Sequence, residues 1–126
     1  MVNQKTLIKR PDDRFRREIA TGSAAMAPVT FTPRDLENTA VAAKILEIRV
    51  HLDSASATTE NLVIYVDSAS GSAYDINVIT EDMNTVQDLR ACLDLLLLDG
   101  DVLTFTWANS DSRTYGLEII YQAYKS

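Results

Sequence analysis

The sequence has very little with which to do covalent chemistry. Its 126 residues include one cysteine, Cys92, and one histidine, His51. A single cysteine cannot close an internal disulfide, and the apolar neighbours Ala91 and Leu93 predict a buried thiol rather than a nucleophile. His51 alternates with Glu47 and Arg49 on what reads as the polar face of a strand, where a histidine is more often solvated than catalytic. G-x-S-x-G, H-E-x-x-H and P-loop patterns are all missing. Long apolar runs are missing too: the longest stretches, such as Leu95–Leu98, fall far short of the roughly 20 residues a membrane-spanning helix needs. No apolar segment follows the basic residues of the N-terminus, so a secretory signal is not expected and a cytoplasmic origin is. These scarcities argue against an enzyme, a cofactor protein and a membrane protein.

Proline is equally sparse, and all three residues, Pro11, Pro28 and Pro33, fall in the first third of the chain. Each removes a backbone donor and turns its predecessor away from helix. Around them the segment Met1–Ala43 shows no sustained periodicity, and Ala20–Ala27 consists mostly of small side chains with little apolar area to bury. Asp12–Ile19 has the caps for a short helix, but one too short to be stable in water by itself. Residues 1–43 are therefore expected to form an extended arm that orders against a partner.

The net charge of −6 conceals an asymmetry. Residues 1–34 carry seven basic against three acidic side chains, and the remainder carries five basic against fifteen acidic. Lys5, Lys9, Arg10, Arg14, Arg16, Arg17 and Arg34 are the candidate partner-binding residues of the arm. Without aromatic interleaving, and with an acidic body behind them, they favour an acidic protein surface, including a neighbouring copy of the chain, over nucleic acid.

From Lys44 onward the pattern changes. Leu46, Ile48, Val50 and Leu52 alternate with Glu47, Arg49 and His51, the period of a strand with one buried face. Similar alternation recurs at Leu62–Val66, Tyr74–Val78, Leu103–Trp107 and Tyr115–Tyr124, with the two segments flanking Gly71 expected to form a hairpin. Cys92–Leu98 is ambiguous between strand and helix until the Asp99-Gly100-Asp101 turn signal favours strand. A helical turn is expected at Thr85–Leu89. About six short strands predict an all-β domain over residues 44–126, an antiparallel β-sandwich or jelly roll. Asp53–Glu60 and Glu81–Arg90 are its long connections and the first places to look for a functional loop.

Two further clusters have a sharp and a plain reading. Asp94, Asp99 and Asp101 supply oxygen ligands of the kind calcium takes, yet aspartates flanking a glycine are what a turn requires, and no metal site is assigned. Trp107, Tyr115, Tyr121 and Tyr124 are candidate interface or ligand aromatics; rings at such positions stack on sugars or fill cores and oligomer contacts, and the latter is favoured.

The run VHLDSASATTENLVIYVDSASGSAYD, followed by LLLLDGDVLTFTWANSDSRTYGLEIIY, resembles small virion-associated proteins of tailed bacteriophages. The likeness lies in the Ser, Ala and Thr loop, the turn at Ser68–Asp75, the Gly100-Asp101 turn and the segment Asn109–Gly116. It covers somewhat more than half of the chain and leaves the arm outside. What it implies is a non-enzymatic virion structural protein made in the host cytoplasm. The expected role is a capsid decoration or cement subunit, bound to the major capsid protein or another virion protein and associated as a dimer or trimer. A tail or head-tail connector component, or a carbohydrate- or receptor-binding module, is the alternative.

Overall fold

A computed structural model describes residues 15–124. Eight strands account for most of them: β1 Phe15–Gly22, β2 Met26–Phe31, β3 Ala43–Leu52, β4 Asn61–Asp67, β5 Ile76–Asp82, β6 Asp88–Leu97, β7 Val102–Trp107 and β8 Tyr115–Ala123. They form two antiparallel four-stranded sheets, in the orders β1-β8-β3-β6 and β2-β7-β4-β5. Only β4 and β5 are neighbours both in sequence and in a sheet; every other connection crosses over. That order is the jelly roll expected from the sequence, two Greek keys folded face to face.

The core lies between the sheets. Register places Ile45, Ile48, Val50 and Leu52 of β3 beside Tyr121, Ile119, Leu117 and Tyr115 of β8 on one inner face. Leu62, Ile64 and Val66 of β4 and Leu103, Phe105 and Trp107 of β7 make up the other, and all of these are buried. Successive side chains point to opposite faces of a strand, so these segments alternate as their sequence does; the exception is a bulge between Ile45 and Glu47, which puts Ile45 in the core in place of the Leu46 expected there.

The first correction concerns the arm. Residues 15–43 belong to the sandwich: β1 pairs with β8 along its whole length, β2 pairs with β7, and Met26, Phe31, Val41 and Ala43 are buried. The ring of Phe31 packs on Tyr121 with centroids 4.9 Å apart. The domain thus begins at least by Phe15, not at Lys44, and of the expected arm only residues 1–14 lie outside the described part. The short helix anticipated at Asp12–Ile19 is, over its described residues, part of strand β1. Likewise Thr85–Leu89 is not helical. Thr85 adopts a positive φ of 66° in a turn that leads directly into β6.

The two ends of the sandwich are closed by side chains that replace backbone partners. Asp101 is buried, and its carboxylate accepts the N–H groups of Ala69 and Leu98, each at 2.9 Å. This is the turn reading of the Asp99-Gly100-Asp101 motif, with Gly100 at φ 87°. The turn joins β6 and β7 across the two sheets rather than within one. At the opposite end Asp111 accepts hydrogen bonds from Ser56 Oγ, Ala57 N and Thr58 Oγ1 at 2.9–3.0 Å, tying the 53–60 connection to the β7–β8 turn. Those bonds hold the Asp111 carboxyl below its ordinary pKa, the Ala57 N–H foremost. Asn109 links the same turn to the carbonyl of Ala24 at 3.1 Å. Ser56 is buried and shares backbone hydrogen bonds with Thr85 and Val86, so the connections expected to be functional loops are stitched to each other instead.

Candidate interaction surface

Three exposed regions have enough structure to act: the outer face of the β1-β8-β3-β6 sheet and the two open edges of the sandwich. On the outer face, paired residues stand in rows across all four strands. One row is Ile19, Glu118, Arg49, Arg90, and the next is Arg17, Ile120, Glu47, Cys92. Opposite charges meet mainly between the two rows rather than along them. Glu47 accepts Arg49 Nε at 2.5 Å and Arg90 Nε at 2.7 Å, while Glu118 accepts Arg49 Nη1 at 3.2 Å and Arg17 Nε at 2.6 Å. Arg90, Glu47, Arg49, Glu118 and Arg17 therefore form one zigzag that crosses the sheet from β6 to β1. The two guanidinium groups, Arg90 before Arg49, lower the Glu47 pKa to about 2. The arginines are exposed and the two glutamates only partly so, and each pair contributes little alone; the network gains because its members order one another.

His51 joins this face through Asp88, with Nδ1 and Oδ1 2.5 Å apart. Beside it Gly116 leaves a gap, since a Cβ there would meet nothing within 4 Å. A hollow of about 830 Å³ opens above the glycine, walled by Ile19, Thr21, Arg49 and His51. Its charged walls are already paired with each other. The hollow therefore presents apolar floor rather than free charge.

Cys92 stands on this outer face and is exposed, contrary to the buried thiol expected from its neighbours. The reason is register. Cys92 pairs with the outward-facing Glu47, and Ala91 and Leu93 point inward on either side of it.

The edges differ from the face. Seven large apolar side chains are more than half exposed, and they lie on or beside the edge strands, with Phe15, Ile19 and Leu96 pointing out of the outer face from β1 and β6. Phe15 and Ile19 of β1 and Leu36 of the turn after β2 lie on the β1/β2 side, where Arg16 donates to the Arg34 carbonyl at 3.3 Å and ties that turn to β1. Tyr74, Ile76, Leu96 and Leu98 lie on the β5/β6 side. On that side three of the core-facing residues of β6, Leu89, Leu93 and Leu95, are only partly buried, and Leu97 alone is fully enclosed. The gap between Ile76, Tyr74, Leu95 and Leu98 forms a groove of about 490 Å³. Monomeric proteins seldom leave such patches open, and contiguous ones mark contact sites.

The basic residues expected to bind a partner are mostly engaged or outside view. Lys5, Lys9, Arg10 and Arg14 lie outside the described residues. Arg17 is paired with Glu118, and Arg34 donates to the Asn38 carbonyl at 3.1 Å. Arg16 projects toward the core side of β1, opposite the buried Tyr121. Of the candidate aromatics, Trp107, Tyr115 and Tyr121 are buried, which removes them from any surface platform for a ligand; Tyr124 alone is partly exposed, at 37%. Burial raises the Tyr121 pKa, which Arg16 partly offsets. Asp94 of the acidic cluster pairs with Lys44 at 3.1 Å. Among the described residues no group of three or more His, Cys, Asp or Glu side chains could hold a metal ion, and no helix is long and apolar enough to cross a membrane.

Sequence reasoning missed the apolar edges. Their signal was present in the outward phase of the strands: Phe15 and Ile19 alternate with Arg17, and Leu96 continues the outward series Arg90, Cys92, Asp94. Recognising it requires knowing which phase faces out.

No protein-family model matches the chain, and no curated protein matches it. Among solved structures, the Drosophila NLP core, whose structure concerns pentamer formation and histone binding, is similar over 90% of this chain and 100% of its own. The TM-score is 0.51 at 10% identity. A structure of the Gx strain of infectious bursal disease virus is similar over 90% of this chain and 28% of its own, at 11% identity and a TM-score of 0.28. At such identities the first likeness shows a shared fold and nothing of what the chain binds; the second is too slight to carry argument.

Proposed function

We propose that this chain is a non-enzymatic structural subunit of a phage-like particle, most readily a capsid decoration or cement protein. The observation that carries the reading is the distribution of exposed apolar side chains. They gather at the two edges of a rigid jelly roll whose long connections are tied down, which is the surface of a protein built to be packed against others. The resemblance of Val50–Tyr121 to virion-associated proteins points the same way. The existence of a pentamer-forming protein of the same fold, the Drosophila NLP core, supports assembly as a use of this scaffold.

In this reading residues 1–14 take over the role first given to a longer arm. They hold Lys5, Lys9, Arg10 and Arg14, and a basic leader suits an acidic coat surface. Repeated copies on a lattice then add weak contacts into avidity. Mass spectrometry of purified phage particles from the source strain tests the proposal. Many copies per particle, at a fixed ratio to coat protein, are expected; a few copies would move the protein to the tail or connector, and its absence from particles would refute the proposal.

A further inference from the structure

We infer that copies of this chain associate head to tail, the β1/β2 edge of one against the β5/β6 edge of the next, closing into a ring of three or more. The inference rests on the reading of the chain as an assembly subunit, and it names the partner as a second copy. Three independent observations converge on it.

The first is the pairing of apolar patches already described, one on each side of the sandwich. A self-complementary contact about a twofold axis needs one patch that meets itself, whereas two different patches on opposite sides fit a heterologous contact, which closes into a ring or runs on as a filament. The second observation is charge. The segment 67–101, which contains β5, β6 and their connections, carries eight acidic residues and one basic residue, Arg90. The remainder of the chain carries ten acidic and eleven basic residues, with Lys5, Lys9, Arg10 and Arg14 leading into β1. The β5/β6 side is therefore strongly acidic and the remainder of the sequence slightly basic, so two β5/β6 sides repel each other.

The third observation concerns the strands themselves. β1 and β6 are the two ends of a single sheet, 8 and 10 residues long, and neither contains proline. Edges of that length invite pairing. They are longer than β2 and β5, of 6 and 7 residues, and are interrupted by the inward Arg16 and Glu18 of β1 and by a register shift in β6. Two long unpaired edges at opposite ends of one sheet are coherent if each covers the other in an assembly.

The test uses the full chain in native mass spectrometry and light scattering at about 100 µM, where a micromolar contact is saturated. Wild type is expected as a discrete oligomer of three or more, and a monomer or a twofold dimer would overturn the inference. Two variants each break one side: Phe15→Glu with Ile19→Glu, and Ile76→Glu with Leu96→Glu. Each alone is expected to be monomeric. Mixed together, they retain one intact patch of each kind and should form a one-to-one dimer and nothing larger. Retention of the wild-type oligomer by either variant, or a mixture that stays monomeric while both variants melt like wild type, would also overturn it.

Should a variant fail to fold, the wild type decides. Exposed Cys92 carries a short photo-cross-linker, and labelled and unlabelled copies are mixed. Cross-links from Cys92 of one copy to residues 15–36 of another are expected, and links confined to Cys92 regions of both copies would refute the arrangement. The outcome is separate from that of the particle experiment. A ring through these edges that is absent from virions leaves the inference standing and removes the virion role, and the converse result does the opposite.

Discussion

At the scale of single residues, stability at this surface depends on carboxylates that accept more than one hydrogen bond. Glu47 has its pKa lowered from 4.5 to about 2 by Arg90 and Arg49. A carboxylate with a depressed folded pKa stabilises the native state above its unfolded pKa, and that contribution is lost as pH falls through the folded value. The variant Glu47→Gln should therefore melt a few degrees below wild type at pH 7, with the gap shrinking from about pH 4.5 and gone near pH 2. A gap independent of pH in thermal melts would show that the ion-pair zigzag does not account for the loss. Asp111 makes the same kind of argument with a different readout. Its carboxylate holds Ser56 and Ala57 through Oδ2 and Thr58 through Oδ1, and an alanine offers no acceptor. Asp111→Ala should thus accelerate hydrogen exchange at Ala57 and neighbouring amides while leaving the exchange of core strands such as β8 nearly unchanged.

At the scale of elements, the decisive question is which parts of the N-terminal third the fold needs. β2 contributes Met26 and Phe31 to the core, and β1 completes the sheet against β8. Removing residues 1–14 should leave a cooperative melting transition, whereas removing Met1–Ala43 should abolish it, since that deletion strips two strands and the buried Met26, Phe31, Val41 and Ala43. A soluble, cooperatively folded 44–126 fragment would overturn this account. The point variant Phe31→Ala tests the same claim more gently, and a destabilisation of about 3–5 kcal/mol in chemical denaturation is expected for a buried phenylalanine. Most of the six strands from β3 onward were legible because one face of each meets the core, so apolar and polar residues alternate; β6 is largely an apolar run and was legible only from the Asp99-Gly100-Asp101 turn that follows it. β1 was not legible for a physical reason: as an edge strand it points Arg16 and Glu18 toward the inner side and Phe15 and Ile19 outward, so its alternation is inverted. β2 was hidden by Pro28 and by a register shift that breaks the period between Met26 and Val29. The candidate surface was less legible still. Exposed apolar residues such as Leu96 and Ile76 look like core in a sequence, and only the sheet order reveals that β5 and β6 have no neighbour on their outer side.

At the scale of the whole molecule, the proposed contact between copies would combine two forces that respond differently to salt, which allows them to be separated. Charge attraction between the acidic segment 67–101 and basic side chains of another copy weakens as the Debye length shrinks from about 10 Å at 0.1 M to about 3 Å at 1 M ionic strength. Burial of Phe15, Ile19, Ile76 and Leu96 does not weaken in that way, and sulfate strengthens it because sulfate is excluded from the protein surface. Sodium chloride and sodium sulfate at equal ionic strength screen charges to a similar degree, so a difference between them reports apolar burial. Assembly should therefore fall with added chloride and fall less, or recover, with sulfate at matched ionic strength, as followed by light scattering on the wild-type chain. Equal dissociation in the two salts would mean that charge alone holds the copies together, and that Phe15, Ile19, Ile76 and Leu96 stay in water within the oligomer.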